Sequence, residues 1–303
     1  MQKTGLGSVF FFIFAKNKKM KKLFLLSALL ISFSCLFSQS LLWKVSGKNI
    51  QSPSYLYGTI HIMDERVFAF DTTVLTALYS CDAFAMEVLM DELDLTGVSQ
   101  SMLMPKGQTI SNLLSKEDFK LLDNLCKEKL GTGILFLNRM KPFFVAGALE
   151  GGGFSKDKDT ALDLFLLKKA RENHKNCFGL EKYIDQIKAI DAVNIKEQVK
   201  MLEAMLHDTL KLTEEGDLLL NSYLNFDLDK LNELSQDTSM SKKFQKALIT
   251  NRNKTMAKQF SKISKDQTLF CAVGAAHLVG DKGVLALLRK KGYTVEPVVF
   301  KWK

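Results

Sequence analysis

The chain has 303 residues, 47% of them hydrophobic and 25% charged, with only 4 prolines, a globular composition long enough for a sizeable core. The formal charge of +9 is concentrated at one end: residues 1–40 carry Lys3, Lys16, Lys18, Lys19, Lys21 and Lys22 and no acid, and without these six the 42 basic and 33 acidic side chains leave +3. So mild a balance gives no basis for a nucleic-acid or membrane-surface partner.

The first 40 residues read as an N-terminal extension and signal peptide. "KNKKMKK" is a positive leader, Leu23 to Phe37 is a 15-residue apolar run, and Ser38-Gln39-Ser40 supplies small and polar residues for cleavage. The run is shorter than the roughly 20 residues that span a bilayer. An exported protein is therefore expected, periplasmic, cell-surface or secreted; an uncleaved anchor is the alternative. Met20 stands where a standard signal peptide begins, so the start at Met1 or Met20 stays open. Cys35 would permit a lipid anchor, although Ser32-Phe33-Ser34 before it is a poor lipobox. Cys81, Cys126, Cys177 and Cys271 have no CxxC spacing and read as small hydrophobes rather than disulfides.

From residue 41 a single α/β domain is expected to continue to residue 303. "LLWKVSG" and "SYLYGT" are two short β-rich runs, a hairpin or adjacent strands. "TTVLTALYSC" predicts a helix capped by Asp71, and "CDAFAMEVLM" a buried strand. A helical insertion is expected over about 92–160, where "TISNLLSKEDFKLLDNLCKEKL" places apolar residues at three- and four-residue steps. "ALDLFLLKKARENHK" predicts an amphipathic helix and "KNCFGLE" a strand. A second helical block is expected between about 182 and 265. Its last stretch, from Ser241 to Lys265, sets Phe244, Leu248, Met256, Phe260 and Ile263 near one face, with eight Lys and Arg most simply read as a solvated face. "TLFCAVGAAHL" predicts a strand, "KGVLALLRKKG" a helix and "YTVEPVVFKW" a last strand. Strands separated by helices at both ends predict a central, mainly parallel sheet flanked by helices.

Four of the apolar runs end in a residue capable of metal or acid–base chemistry: His61, Glu87, Glu181 and His277. In open α/β sheets ligands bind beyond the carboxyl ends of the strands, so these distant residues are expected to converge. Gly58, Gly179 and Gly274 precede three of them and permit sharp turns or close approach. Composition alone predicts about 0.24 copies of Gly-x-x-His, whereas two occur, both behind apolar runs. Taken singly, each is an ordinary strand end containing a histidine; Glu87 is open to a role as partner of a basic side chain, and Glu181 to one as a helix-start acid. His174 and His207 lie in polar helical surroundings and read as solvated.

Two histidines and a carboxylate suit a divalent transition metal with open positions, and a second carboxylate could serve as acid or base. A GxSxG elbow, a Walker A loop, a complete GxGxxG and an HExxH are all absent from the sequence.

With these residues in hand, the chain resembles the TraB/GumN family (TraB/PrgY/GumN), which includes the Tiki metalloproteases. The resemblance rests on Gly58-Thr59-Ile60-His61, on Gly274-Ala275-Ala276-His277-Leu278-Val279-Gly280, and on Glu87 closing the second core strand. "LMPKGQTISNLLS", "GLE" followed by Gln186, the Arg252-Asn253 pair and "GDKGVLALLRKKGYTV" also fit, covering residues 41 to 300. The resemblance implies an α/β fold akin to the erythromycin-esterase and ChaN-like group. It also implies metal-dependent proteolysis with manganese or cobalt, His61, Glu87 and His277 as metal ligands, and Arg252 and Asn253 as supports of the site. The leading expectation is an exported metal-dependent hydrolase, a peptidase acting on a peptide or other small substrate, with Arg252 stabilising developing negative charge and Glu181 either supporting the ligands from behind or taking part in proton transfer. The alternatives are a non-catalytic haem- or small-ligand-binding module in the same cleft, or a protein–protein role in which the histidines are dispensable.

Overall fold

The computed structural model describes residues 39–47, 50–236 and 242–303. The expected signal peptide, the choice of start and the possible anchor at Cys35 lie outside the described residues. Among the described residues no helix is long and apolar enough to cross a membrane.

Six strands form one mixed sheet: β1 (Leu42–Ser46), β2 (Ser54–Thr59), β3 (Ala83–Met86), β4 (Asn176–Gly179), β5 (Leu269–Gly274) and β6 (Thr294–Val298), in the spatial order β4-β3-β5-β2-β1-β6. β4, β3, β5 and β2 run parallel, while β1 is antiparallel to both β2 and β6. The two opening runs are thus an antiparallel pair, with Leu42 opposite Tyr57. Burial explains the composition of the central strands. Every residue of Ala-Phe-Ala-Met in β3 and the first five of Leu-Phe-Cys-Ala-Val-Gly in β5 are buried, because helices cover both faces.

Helices sharing the core around the sheet include α1 (Thr72–Tyr79), α6 (Leu162–Glu172), α12 (Arg252–Ile263) and α13 (Val284–Lys290). Asp71 caps α1, its carboxylate accepting from the Thr73 amide at 2.8 Å. Leu162, Leu166, Leu167 and Ala170 of α6 join Met256, Ala257 and Phe260 of α12 in the core around the sheet.

A separate apolar core lies among α3 (Ile110–Leu113), α4 (Lys116–Leu130), α5 (Pro142–Gly151) and α8 (Ile195–His207). It holds Ile110, Leu122, Leu125, Val145 and Leu149 together with Val199, Leu202 and Leu206. The second helical block therefore contributes α8 to the same small core as the first. An amphipathic face in sequence specifies that a helix packs, not which neighbour it packs against.

The stretch from Ser241 to Lys265 reads as one regular helix, but the structure breaks it. After α11 (Lys242–Gln245) comes a six-residue π segment, Lys246–Asn251, and α12 then starts at Arg252. π segments often sit at functional sites because they re-aim the side chains beside them.

Candidate metal centre

The four parallel strands deliver their carboxyl ends to one edge of the sheet. β3 ends at Met86 and is followed by Glu87; β5 ends at Gly274 and leads into the 3-10 turn Ala275–His277; β2 ends at Thr59, two residues before His61. β4 ends at Gly179, and the chain keeps its pairing for two more residues: the amides of Leu180 and Glu181 donate to the carbonyls of Met86 and Glu87 at 2.8 and 2.9 Å. Glu181 is thereby fixed beside Glu87.

The strongest contacts run through Arg252. Its Nη2 donates to Glu87 Oε2 at 2.5 Å and its Nε to Glu181 Oε2 at 2.9 Å, so one guanidinium spans both carboxylates. Nη1 donates to the Leu248 carbonyl at 3.2 Å, which ties the π segment to the site. Gln186 Nε2 reaches both Oε2 atoms at 3.4 Å. The other oxygen of Glu87, Oε1, accepts from the Gly274 amide at 2.9 Å. Burial opposes the ionised form of Glu87, yet His277, Arg252, His61 and the Gly274 amide outweigh it and lower its pKa to about 2. Glu181 shifts upward because burial exceeds the pull of Arg252, and its Oε1 is buried with no hydrogen-bond partner.

Both histidines present the same edge to the centre. Asn253 Nδ2 donates to the Lys282 carbonyl at 2.9 Å, which turns Asn253 Oδ1 toward His277 Nδ1 at 2.6 Å. With that orientation of the amide, His277 Nδ1 carries the proton and Nε2 is a bare acceptor. Burial, with Arg252 and His61 nearby, lowers the His277 pKa to about 4, so the ring is neutral at pH 7. His61 is 57% exposed at its side chain though densely surrounded, with Nδ1 3.1 Å from Asp163 Oδ1. Burial pulls its pKa down, but the Asp163 carboxylate, aided by Glu87, reverses this and lifts it to about 9.

These orientations leave two acceptors facing each other. His277 Nε2 lies 3.6 Å from Glu87 Oε1, a lone pair against an anionic oxygen. A cation between them removes the conflict. The three side chains meet beside Gly274, which has no side chain of its own to intrude: a methyl carbon there would sit 3.3 Å from Glu87 Oε1, 3.6 Å from His277 Cδ2 and 3.8 Å from His61 Nε2. Among the described residues no three His, Cys, Asp or Glu donors are gathered into a ready coordination cluster. The donor chemistry nonetheless fits a borderline divalent ion: two imidazoles, one with its outer nitrogen hydrogen-bonded to Asn253 and the other with its outer nitrogen 3.1 Å from Asp163, and one carboxylate.

The structure thus brings His61, Glu87, Glu181, Arg252, Asn253, Gly274 and His277 together. Gly58 serves differently. A methyl on it would meet Leu278 Cδ1 at 2.7 Å and Ala275 Cα at 3.2 Å, so it lets the first histidine motif pack against the second. His174 and His207 are not brought to the site; His207 pairs with Asp118 at 2.9 Å. Sequence reasoning missed Asp163. An acid in the first turn of an amphipathic helix reads as a complement to the helix dipole, and its only other sequence signal is that it stands among apolar residues in "ALDLF".

The model of the TraB/PrgY/gumN family matches residues 41–297. Metalloprotease TIKI2 of Danio rerio is 23% identical, over 87% of this chain and 63% of its own length. The Metalloprotease TIKI homolog of Nematostella vectensis is 25% identical over 86% of this chain and 67% of its own, and Metalloprotease TIKI1 of Homo sapiens 23% over 85% and 61%. The chain spans between 61% and 67% of the length of these relatives. No solved structure matches it. The family match encloses every residue of the cleft, from Gly58 to His277, and the chain belongs to the TraB/PrgY/gumN family.

Proposed function

We propose that the cleft is the centre of an exported metal-dependent hydrolase that cleaves peptide bonds. The observation that carries this reading is the pair of facing acceptors, His277 Nε2 and Glu87 Oε1 at 3.6 Å, beside Gly274. His61, His277 and Glu87 would hold the ion, manganese or cobalt in this reading. The ion would supply Lewis acidity and would make a nearby water easier to deprotonate. The names of the distant relatives, metalloproteases all, support a peptidase over other hydrolases.

The remaining residues have roles set by their contacts. Arg252 keeps Glu87 ionised as a ligand, and its fixed charge favours negative charge developing at a substrate carbonyl. Glu181, with a raised pKa and an unpartnered Oε1, is suited to take up and return a proton. Asn253 holds His277 in the tautomer that leaves Nε2 free. A kinship of the sheet with the erythromycin-esterase and ChaN-like group belongs to the same reading, supported by the α/β architecture with its site at the carboxyl ends of the parallel strands.

A peptide-library screen with and without manganese tests the proposal. Cleavage that needs the metal and disappears in His277→Ala is expected. Metal-loaded protein that cleaves no peptide would overturn the peptidase assignment, and cleavage unaffected by chelation would overturn the metal dependence.

A further inference from the structure

We infer that Asp163 is a positioning residue that turns His61 Nε2 toward the metal position; this rests on the metal-centre reading above. Asp163 stands in the first turn of α6, its side chain 10% exposed in an otherwise apolar wall of Leu162, Leu166 and Leu167. Its Oδ1 has no aligned hydrogen-bond donor, and the cation-capable atom beside it is His61 Nδ1 at 3.1 Å. A buried carboxylate oxygen without a hydrogen bond weakens a fold. Its place is explained by the ring next to it.

The geometry has a counterpart across the cleft. Asn253 Oδ1 holds His277 Nδ1 at 2.6 Å, and Asp163 Oδ1 faces His61 Nδ1. In both cases a buried oxygen lies against the outer nitrogen, and the inner one is left toward the space beside Gly274, where a methyl carbon on that glycine would lie 3.8 Å from His61 Nε2. The two acceptors differ in charge. An anionic partner on Nδ1 raises the electron density that the imidazole offers through Nε2, whereas a neutral amide only orients. His61 is also the more exposed of the two rings, at 57% against 7%, so it has the greater need of an anchor.

Cobalt titration followed by the ligand-field absorption of the ion tests this without any activity. Wild-type protein, Asp163→Asn, Asp163→Leu and Asp163→Ala are compared, with thermal unfolding of each metal-free protein as the folding control. Loss of the acceptor oxygen in Asp163→Leu or Asp163→Ala is expected to weaken cobalt binding roughly 10- to 100-fold. Asp163→Asn, which keeps an oxygen at the same reach, is expected to stay within about fivefold of wild type, while the loss in Asp163→Leu, which keeps a side chain of similar size without the oxygen, is what a role in packing alone does not produce. Either truncated variant suffices if the other fails to fold. Wild-type affinity retained in a folded truncation overturns the role of Asp163 alone. Absence of cobalt binding in the wild type overturns the metal centre itself.

Discussion

Replacing Arg252 with methionine removes the one positive charge that spans Glu87 and Glu181. Those carboxylates are 13% and 3% exposed, and each loses its shortest contact, at 2.5 and 2.9 Å. Removing one partner from a buried ion pair costs about 3–5 kcal/mol, because the other charge stays buried. Here two carboxylates are left against each other, linked only by Gln186 at 3.4 Å. The repulsion has an outlet: Glu181, whose pKa already lies above the usual carboxylate value, takes up a proton. That relief keeps the loss near the lower end, about 3 kcal/mol at pH 7. For a chain of this size it corresponds to a fall in Tm of roughly 6–12 °C. Urea unfolding of the metal-free protein measures it, and Arg252→Met with Glu181→Gln should recover part of the loss, since neighbouring sites do not add. A single variant within 0.5 kcal/mol of wild type, roughly the scatter of ordinary surface changes, would refute the network.

Saturating manganese or cobalt at about 100 times its Kd should stabilise the folded state by about 2.7 kcal/mol. Calorimetry should show this in wild type and not in His61→Ala or His277→Ala. Gly283→Ala should destabilise by about 3 kcal/mol in chemical unfolding, since the added methyl would lie 2.1 Å from the Val279 carbonyl oxygen and 2.4 Å from that of Leu278. Tyr223→Phe removes the hydroxyl that donates to the Gly58 carbonyl at 2.8 Å in a fully buried setting, and should cost about 1–3 kcal/mol by the same method.

The strand ends were legible in the sequence for a physical reason. Parallel strands covered on both faces are apolar runs, so the polar residue that ends such a run marks the rim of the sheet, as at Glu87 after Ala-Phe-Ala-Met. The two Gly-x-x-His runs could be paired because both glycines permit close approach, Gly58 to Ala275 and Gly274 to Glu87. Spatial order was another matter. β5 comes fifth in sequence but lies between β3 and β2, and only long-range packing decides that. The π segment was hidden because six residues do not separate a period of 3.6 from a slightly wider one. Asp163 was hidden because its partner is 102 positions away, and nothing local distinguishes it from a helix-start acid. The joining of α8 to the insertion core was hidden likewise, since Val199, Leu202 and Leu206 form an apolar face without an address.

The most direct test of the metal centre is an anomalous difference map from crystals grown with manganese, recorded at the manganese edge. The structure predicts one strong peak over the face of Gly274, bounded by His61 Nε2, Glu87 Oε1 and His277 Nε2, and absent from His277→Ala. A map with no peak there, or with manganese only at other carboxylates, contradicts the account.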